Sequence, residues 1–205
     1  MKNVIVLGSS GSIGTQTLDV CEKHANKLNV VGLAVWSNAK LAREQAAKFN
    51  VSVQNVIVCK EIDSKNEVLY DGKSARCTDS TKKIIELVQS PEVDVVVNAM
   101  SGAAGLQASV ATLQAGKILA LANKESLVVA GDIIMPLAER LAKKHGEVRL
   151  LPIDSEHGAI FQCLVGENKS EVERLWVTAS GGPFRGKTRD ELVNITSAQA
   201  LKHPT

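Results

Sequence analysis

Two acidic residues, Asp154 and Glu156, are separated by one position and could hold a metal ion. They follow an apolar run, residues 148–153, that is predicted to be a strand. If the chain stays extended, a period of two puts both carboxylates on one face, about 7 Å apart. Oxygen ligands of this kind suit Mg²⁺ or Mn²⁺. A solvated acidic turn has the same pattern, and Asp-Ser-Glu alone favours the turn. The segments that flank it, described below, favour the metal site instead.

A glycine-rich segment, Gly8-Ser-Ser-Gly-Ser-Ile-Gly14, lies between a predicted strand and a predicted helix. Glycine permits a tight turn there and lets backbone N–H groups approach a pyrophosphate at the helix N-terminus. The alternative is a turn that only reverses the chain. The strand–turn–helix context favours a dinucleotide site. Its candidate cofactor contacts are Gly8, Ser10, Gly11, Ser12 and Ile13.

The end of the second predicted strand favours NADPH over NADH. Folds that bind NAD usually place an acid there to hold the ribose 2′-OH. This chain instead has Trp36, Ser37 and Asn38, none of them acidic. Ser37 and Asn38 can donate hydrogen bonds to a 2′-phosphate, and the Trp36 indole can stack on adenine. The alternative for Trp36 is a core residue, because large aromatic side chains are usually buried.

Lys124 follows another predicted strand and lies beside Glu125. In a cleft, a lysine binds a substrate oxygen as a compact cation. The alternative is a surface Lys–Glu pair of nearly neutral energy. Further along the chain, Ser180-Gly-Gly offers backbone N–H groups of the kind that bind anions.

The elements that must position these residues alternate between strand and helix over residues 1–150, which is typical of an open α/β sheet. We predict strands at 3–7, 30–35, 56–58, 94–98, 117–122 and 148–153, with another possible at 66–71. Helices are predicted at 15–27, 40–49, 80–89, 106–115 and 132–144. Beyond a domain boundary near residue 150, we predict a helix at 158–164, a strand at 175–179 and helical structure at 190–201.

Composition excludes several classes of protein. The 205 residues include 44% apolar and 22% charged residues, and the net charge is only +2. Without a basic cluster, nucleic acid is not an expected partner. The longest apolar stretch, residues 118–138, contains three charged residues, so we expect no membrane span. Four separated cysteines indicate reduced thiols in the cytoplasm: Cys21, Cys59, Cys77 and Cys163.

Six segments together resemble the 1-deoxy-D-xylulose 5-phosphate reductoisomerase family. They are Leu7 with the glycine segment, Gly102-Ala-Ala-Gly105, Asn123-Lys-Glu-Ser126, Pro152-Ile-Asp-Ser-Glu-His157, Ser180-Gly-Gly-Pro-Phe184 and His203-Pro204. The resemblance implies NADPH- and Mg²⁺- or Mn²⁺-dependent rearrangement and reduction of 1-deoxy-D-xylulose 5-phosphate to 2-C-methyl-D-erythritol 4-phosphate, in isoprenoid precursor synthesis. It also implies a homodimer, in the bacterial cytoplasm or the plastid stroma.

The resemblance implies roles for individual residues. Asp154 and Glu156 match metal ligands, and with Lys124 they form the catalytic group. Asn123 and Glu125 match cofactor contacts, and His157 can support the metal ligands. Substrate-binding positions are matched by Lys124, Ser155, Ser180 and His203.

The resemblance also implies a Rossmann-like NADPH-binding domain at 1–150, with a mostly parallel sheet and helices on both faces. An incomplete α+β catalytic or connective domain would follow at 151–205. Thr205 precedes a further metal-binding Glu, several substrate contacts and a closing flap that the family carries, so we expect a fragment that is inactive alone. Trp36 and Ser37 replace a usual glycine and basic residue.

Two other functions remain open. A catalytically inert dinucleotide-binding module would share every motif of the glycine segment. A reductase of the semialdehyde dehydrogenase type would need a nucleophilic cysteine with a positioned histidine, and none of the four cysteines has a matching motif.

Overall fold

The computed structural model describes residues 1–63, 79–177 and 182–202. These ranges contain six strands: β1 Lys2–Leu7, β2 Leu28–Val35, β3 Val56–Val58, β4 Val95–Asn98, β5 Ile118–Leu121 and β6 Leu150–Pro152. They also contain nine α-helices: α1 Ser12–Lys23, α2 Ala39–Lys48, α3 Cys59–Asp63, α4 Asp79–Gln89, α5 Leu106–Gln114, α6 Glu125–His145, α7 Ser155–Cys163, α8 Arg189–Leu192 and α9 Ser197–Ala200. The strand predicted at 66–71 lies outside the described residues.

The six strands form one parallel sheet in the order β3-β2-β1-β4-β5-β6. Short β-branched runs form its centre, where each strand is covered on both faces and only apolar side chains fit. This strand order is that of a dinucleotide-binding α/β fold, whose direction of winding reverses between β1 and β4. The predicted Rossmann-like fold is confirmed.

Alternate residues of β1 point to two separate cores. Val4 and Val6 pack with residues of α1 and α2, such as Leu18, on one face of the sheet. Ile5 and Leu7 pack with residues of α4 and α5 on the other face. A third cluster joins α5 and α6 to β5 on that second face. The helices therefore hold both faces while the carboxyl edge of the sheet stays open for loops.

Helix α6 begins at Glu125, seven residues earlier than the sequence predicts. Its backbone departs from helical geometry at Ala130, with φ −140° and ψ 31°. The chain therefore forms two helical pieces, and the sequence pattern identified only the piece after the kink. The first piece is important because it carries Glu125 and Ser126 at the edge of the sheet.

The chain divides into two compact units, Met1–Gly158 and Ala159–Thr205, with the division inside α7. The domain boundary near residue 150 stays a prediction. In the second unit, α8 and α9 each begin with a capping box, at Thr188 and Thr196. The strand predicted at 175–179 is wrong for residues 175–177, which form no regular element, and the last two residues lie outside the described part. In the described ranges, no helix is both long and apolar enough to span a bilayer.

Candidate dinucleotide and metal site

The turn between β1 and α1 uses its three glycines differently. Gly8 has a φ of +82°, and a side chain there would lie 2.4 Å from the carbonyl oxygen of Ala99. A Cβ at Gly14 would lie 2.2 Å from the carbonyl oxygen of Gly8. The folded backbone itself therefore requires glycine at both positions.

Gly11 is not required by the fold in this way. Its φ is −81°, and the nearest atom to an added Cβ would be the Gly8 carbonyl oxygen at 3.4 Å. Gly11 is the N-cap residue of α1, and among the described residues no side chain caps that helix. The position thus leaves backbone N–H groups and open space where a dinucleotide fold holds pyrophosphate.

A buried pair of polar residues fixes the turn against α2. The Ser9 hydroxyl donates to Gln45 Oε1 at 2.8 Å, and Gln45 Nε2 donates to the Ser9 carbonyl oxygen at 2.9 Å. Both residues are buried. Sequence reasoning missed Gln45, since a single glutamine in an Ala- and Lys-rich helix carries no signal of this contact.

A cleft of about 430 Å³ opens at the carboxyl edge of the sheet, where the winding reverses between β1 and β4. In open α/β sheets, ligands bind in the crevice at this point. The cleft is lined by the glycine turn, the end of β2 and the loop after β4, with Cys59 from the start of α3. Of the predicted cofactor contacts, it brings together Gly8, Ser10, Gly11 and Trp36.

Trp36 is 66% exposed at the wall of this cleft, so the core alternative for Trp36 is wrong. Ser37 and Asn38 are also exposed. The Asn38 side-chain oxygen accepts a hydrogen bond from the Leu41 N–H at 3.2 Å and caps α2. That cap uses the oxygen and not the amide N–H groups, which are the donors that the 2′-phosphate hypothesis needs.

Two buried asparagines at the ends of β4 and β5 hold the loop that closes the cleft. Asn98 Nδ2 donates to the Gly105 carbonyl oxygen at 2.8 Å and to Ser109 Oγ at 2.9 Å. Asn123 Nδ2 donates to the carbonyl oxygens of Met100 and Gly102, each at 2.8 Å. A Cβ at Gly105 would lie 2.6 Å from the Asn123 side-chain oxygen, so the residue must be glycine for the loop to sit here.

The Asn123 side chain is thus turned inward, with 1% of the residue exposed, and Ser126 Oγ donates to its oxygen. Glu125 is exposed and accepts from Asn123 Nδ2 and from the Gly102 N–H, each at 3.3 Å. The cofactor contacts assigned to Asn123 and Glu125 stay predictions. The structure adds that both residues support the loop after β4.

The two candidate metal ligands do not continue the strand. β6 ends at Pro152, and α7 begins at Ser155, so Glu156 lies in the first helical turn. The prediction that strand geometry puts both carboxylates on one face is therefore wrong. The reason is that the Asp154 carboxylate accepts the His157 backbone N–H at 3.1 Å and caps helix α7 directly after the strand.

His157 and Lys124 both act on Asp154. His157 Nδ1 lies 2.7 Å from Asp154 Oδ1, which is the supporting contact that the sequence suggested. Partial burial favours a raised pKa for Asp154, but the hydrogen bonds from His157 and the charges of His157 and Lys124 outweigh it and lower the pKa below its usual value. Lys124 lies near because β5 and β6 pair, with Leu121 opposite Pro152.

The structure describes only some of the other predicted site residues. Ser155 and Glu156 are exposed at the start of α7. Ser180 and His203 lie outside the described residues. Within the described ranges, no group of three or more His, Cys, Asp or Glu side chains is placed to hold a metal ion. Cys21 and Cys59 are free and buried, and Cys163 is free and exposed.

The strand order, the glycine turn and the cleft at the reversal point define a dinucleotide-binding α/β protein of the Rossmann class. Residues 4–131 match the family model for 1-deoxy-D-xylulose 5-phosphate reductoisomerase, and residues 150–205 match the model for its C-terminal domain. The chain belongs to this family, which confirms the resemblance drawn from the sequence.

Named relatives and solved structures agree with this assignment. The 1-deoxy-D-xylulose 5-phosphate reductoisomerase of Thermoanaerobacter sp. (strain X514) is 45% identical over 205 residues, which are 100% of this chain and 51% of the relative. The structure of the Zymomonas mobilis enzyme in complex with NADPH is 34% identical, with a TM-score of 0.70 over 98% of this chain and 51% of that one.

A reductoisomerase structure in complex with NADPH, fosmidomycin and magnesium is 33% identical. The TM-score is 0.70, and the match covers 100% of this chain and 51% of that one. The chain thus spans about half the length of the relatives it matches.

Proposed function

We propose that this chain forms the NADPH-binding part, and a portion of the substrate and metal site, of an enzyme that converts 1-deoxy-D-xylulose 5-phosphate into 2-C-methyl-D-erythritol 4-phosphate. Membership of the family supports the reaction, and solved relatives have been captured with NADPH and magnesium. The arrangement of the glycine turn supports the cofactor.

One observation carries the proposal for NADPH: the space around Gly11 does not require glycine, whereas the space around Gly8 and Gly14 does. A side chain at Gly11 would fill the space in front of α1 that the pyrophosphate takes. The absence of a side chain at this position is therefore explained by a ligand.

Calorimetric titration of NADPH into wild type, Gly11→Val and Gly14→Ala tests this. Gly11→Val should unfold at nearly the wild-type urea concentration and should bind no NADPH. Gly14→Ala should lose about 2 kcal/mol or more of stability, because its Cβ would overlap backbone. Normal NADPH binding by Gly11→Val would refute the assigned cofactor site, and equal binding of NADH by wild type would refute the NADPH preference.

For the chemical step, we assign Lys124, Asp154 and Glu156. The Asp154 carboxylate is held by His157 and kept ionised, and carboxylate oxygens fit a hard cation such as Mg²⁺ or Mn²⁺. Such an ion, when bound, polarises a carbonyl oxygen and stabilises negative charge that develops on it. The exposed Lys124 ammonium, close enough to influence Asp154, would bind a substrate oxygen beside the carboxylates.

The remaining assignments follow from the family. Ser155, Ser180 and His203 would contact the substrate, with the last two near its phosphate. Residues 1–150 would be the NADPH-binding domain, and 151–205 would begin the catalytic domain. The active protein would be a homodimer. The free thiols of Cys21, Cys59 and Cys163 agree with the bacterial cytoplasm or the plastid stroma as its compartment.

By themselves, these 205 residues should show no useful turnover. Loss of one preorganised electrostatic contact commonly costs about 10²–10³ in rate, and the described residues offer two carboxylates at the candidate metal site. NADPH oxidation with the substrate and Mn²⁺, compared with a full-length relative, measures this. An inert dinucleotide-binding module would bind NADPH normally and would stay inactive after the relative's second half was joined to it.

A further inference from the structure

The proposed preference for NADPH needs a cation near the ribose 2′ position, and the end of β2 supplies none. A 2′-phosphate carries a charge of about −1.5 to −2, and NADP-binding folds commonly place a basic side chain near it. Here the residues after β2 are Trp36, Ser37 and Asn38. A cation must therefore come from a neighbouring element.

The helix that follows the neighbouring strand brings a lysine to this position. β2 and β3 pair as far as Val35 opposite Val58, and α3 begins directly afterwards at Cys59, so Lys60 lies in the first turn of that helix. The Lys60 N–H donates to the Trp36 carbonyl oxygen at 2.8 Å, which holds the backbone of Lys60 beside the end of β2. A four-carbon lysine stem that starts there can reach the ribose corner beside Ser37.

The charges around Lys60 leave its ammonium available. Lys60 is exposed, and no carboxylate of the described residues lies within ion-pair distance of it. Its acidic neighbour Glu61 pairs with Arg43 at 3.3 Å, and Asp63 accepts two hydrogen bonds from Ser80. The cleft is lined by Cys59, the residue before Lys60, and by Trp36, whose carbonyl oxygen accepts the Lys60 N–H.

We propose that Lys60, with Ser37, recognises the 2′-phosphate of NADPH and sets the preference of this chain for NADPH over NADH. The inference rests on the proposed function, because it needs the adenosine half of the cofactor at the end of β2. It assigns to the first turn of α3 the cation that the end of β2 lacks.

The test measures dissociation constants of NADPH and NADH for wild type, for the charge-conserving Lys60→Arg, and for three variants that each remove one positive charge: Lys60→Gln, Lys40→Gln and Lys144→Gln. Lys60→Gln should weaken NADPH binding about two- to fivefold and leave NADH unchanged, since one solvent-screened ion pair is lost. Lys60→Arg should retain the preference. Lys144→Gln, an exposed site near the C-terminus of α6, is the matched control and should change neither constant.

Competition by 2′,5′-ADP and 5′-AMP gives a second readout. Lys60→Gln should weaken only the first, and the salt dependence of NADPH binding should become shallower than in wild type. An unchanged ratio of NADPH to NADH affinity in Lys60→Gln would overturn the inference alone. The inference would also be overturned if Lys40→Gln, on α2, lost the preference for NADPH while Lys60→Gln kept it. Failure of wild type to bind either dinucleotide would overturn the proposed function as well.

Discussion

Ser9 and Gln45 exchange two hydrogen bonds although they are 36 residues apart in the chain. One bond joins the two side chains at 2.8 Å, and the other fixes the Ser9 carbonyl oxygen at 2.9 Å. Helix α2 thereby holds the backbone of the glycine turn. The shape of the proposed pyrophosphate site depends on a helix that contributes no residue to the wall of the cleft.

Gln45→Leu should therefore weaken both the fold and the cofactor site. The Ser9 hydroxyl and carbonyl would stay buried without these partners, which costs about 1–3 kcal/mol for each unsatisfied group. Urea unfolding should show this loss of stability, and NADPH titration should show weaker binding by the folded variant. Gln114→Leu, at an exposed position near the end of α5, is the control and should leave both unchanged. Wild-type stability of Gln45→Leu would mean that the pair does not hold the turn.

Cys59 should react slowly with alkylating reagents, and NADPH should slow it further. Burial raises the pKa of its thiol, so little thiolate is present at neutral pH, and a dinucleotide bound in the cleft would cover it. Peptide mapping by mass spectrometry after timed exposure to iodoacetamide measures each site. Of the three cysteines that the structure describes, exposed Cys163 should react fastest. Cys21, which is buried away from this cleft and also has a raised pKa, should show no protection by NADPH. Equal protection of Cys21 and Cys59 would indicate general stiffening and not a ligand in the cleft.

The sequence predicted the sheet well because its signals are local. A parallel strand covered on both faces must be a short apolar run, and each of the six strands predicted within the described residues contains or overlaps an observed strand. The glycine turn was equally visible, because Gly8 and Gly14 are fixed by the turn itself. Neither prediction needed a contact between distant residues.

Predictions failed where one residue changes the course of the backbone or where partners are distant in sequence. Asp154 caps a helix, so the strand geometry expected for Glu156 does not form. The kink at Ala130 hid the first part of α6. The structural role of Asn98 could not be predicted, because its hydrogen bonds to Gly105 and Ser109 exist only after β4 and α5 have packed.

Mn²⁺ binding should be weak and should depend on Glu156. Glu156→Gln keeps the size of the side chain but removes an anionic oxygen ligand, so its affinity should fall about tenfold or more. Electron paramagnetic resonance of free Mn²⁺ during titration measures the constant. Glu92→Gln, an exposed change at the opposite edge of the sheet, is the matched control. Indistinguishable curves for all three proteins would leave Asp-Ser-Glu as a helix cap with no metal function.

Ionisation of Asp154 should stabilise the fold at neutral pH and lose that effect in acid. Partial burial disfavours the charge, but the hydrogen bonds from His157 and the nearby Lys124 outweigh it, so the pKa in the folded chain lies below the usual value of about 3.9. A carboxyl whose pKa is lowered by folding stabilises the folded state above its unfolded pKa, and this contribution disappears as pH falls through the folded pKa.

Asp154→Asn retains a side chain that can cap α7 but carries no charge. Urea unfolding at pH 7 should therefore find wild type more stable than the variant, and the difference should shrink steadily below about pH 3.9. Asp94→Asn, which alters an acid bonded to the Asn3 N–H at the other edge of the sheet, controls for general loss of negative charge. A wild-type advantage over Asp154→Asn that persisted unchanged into strong acid would show that shape, and not charge, is what Asp154 provides.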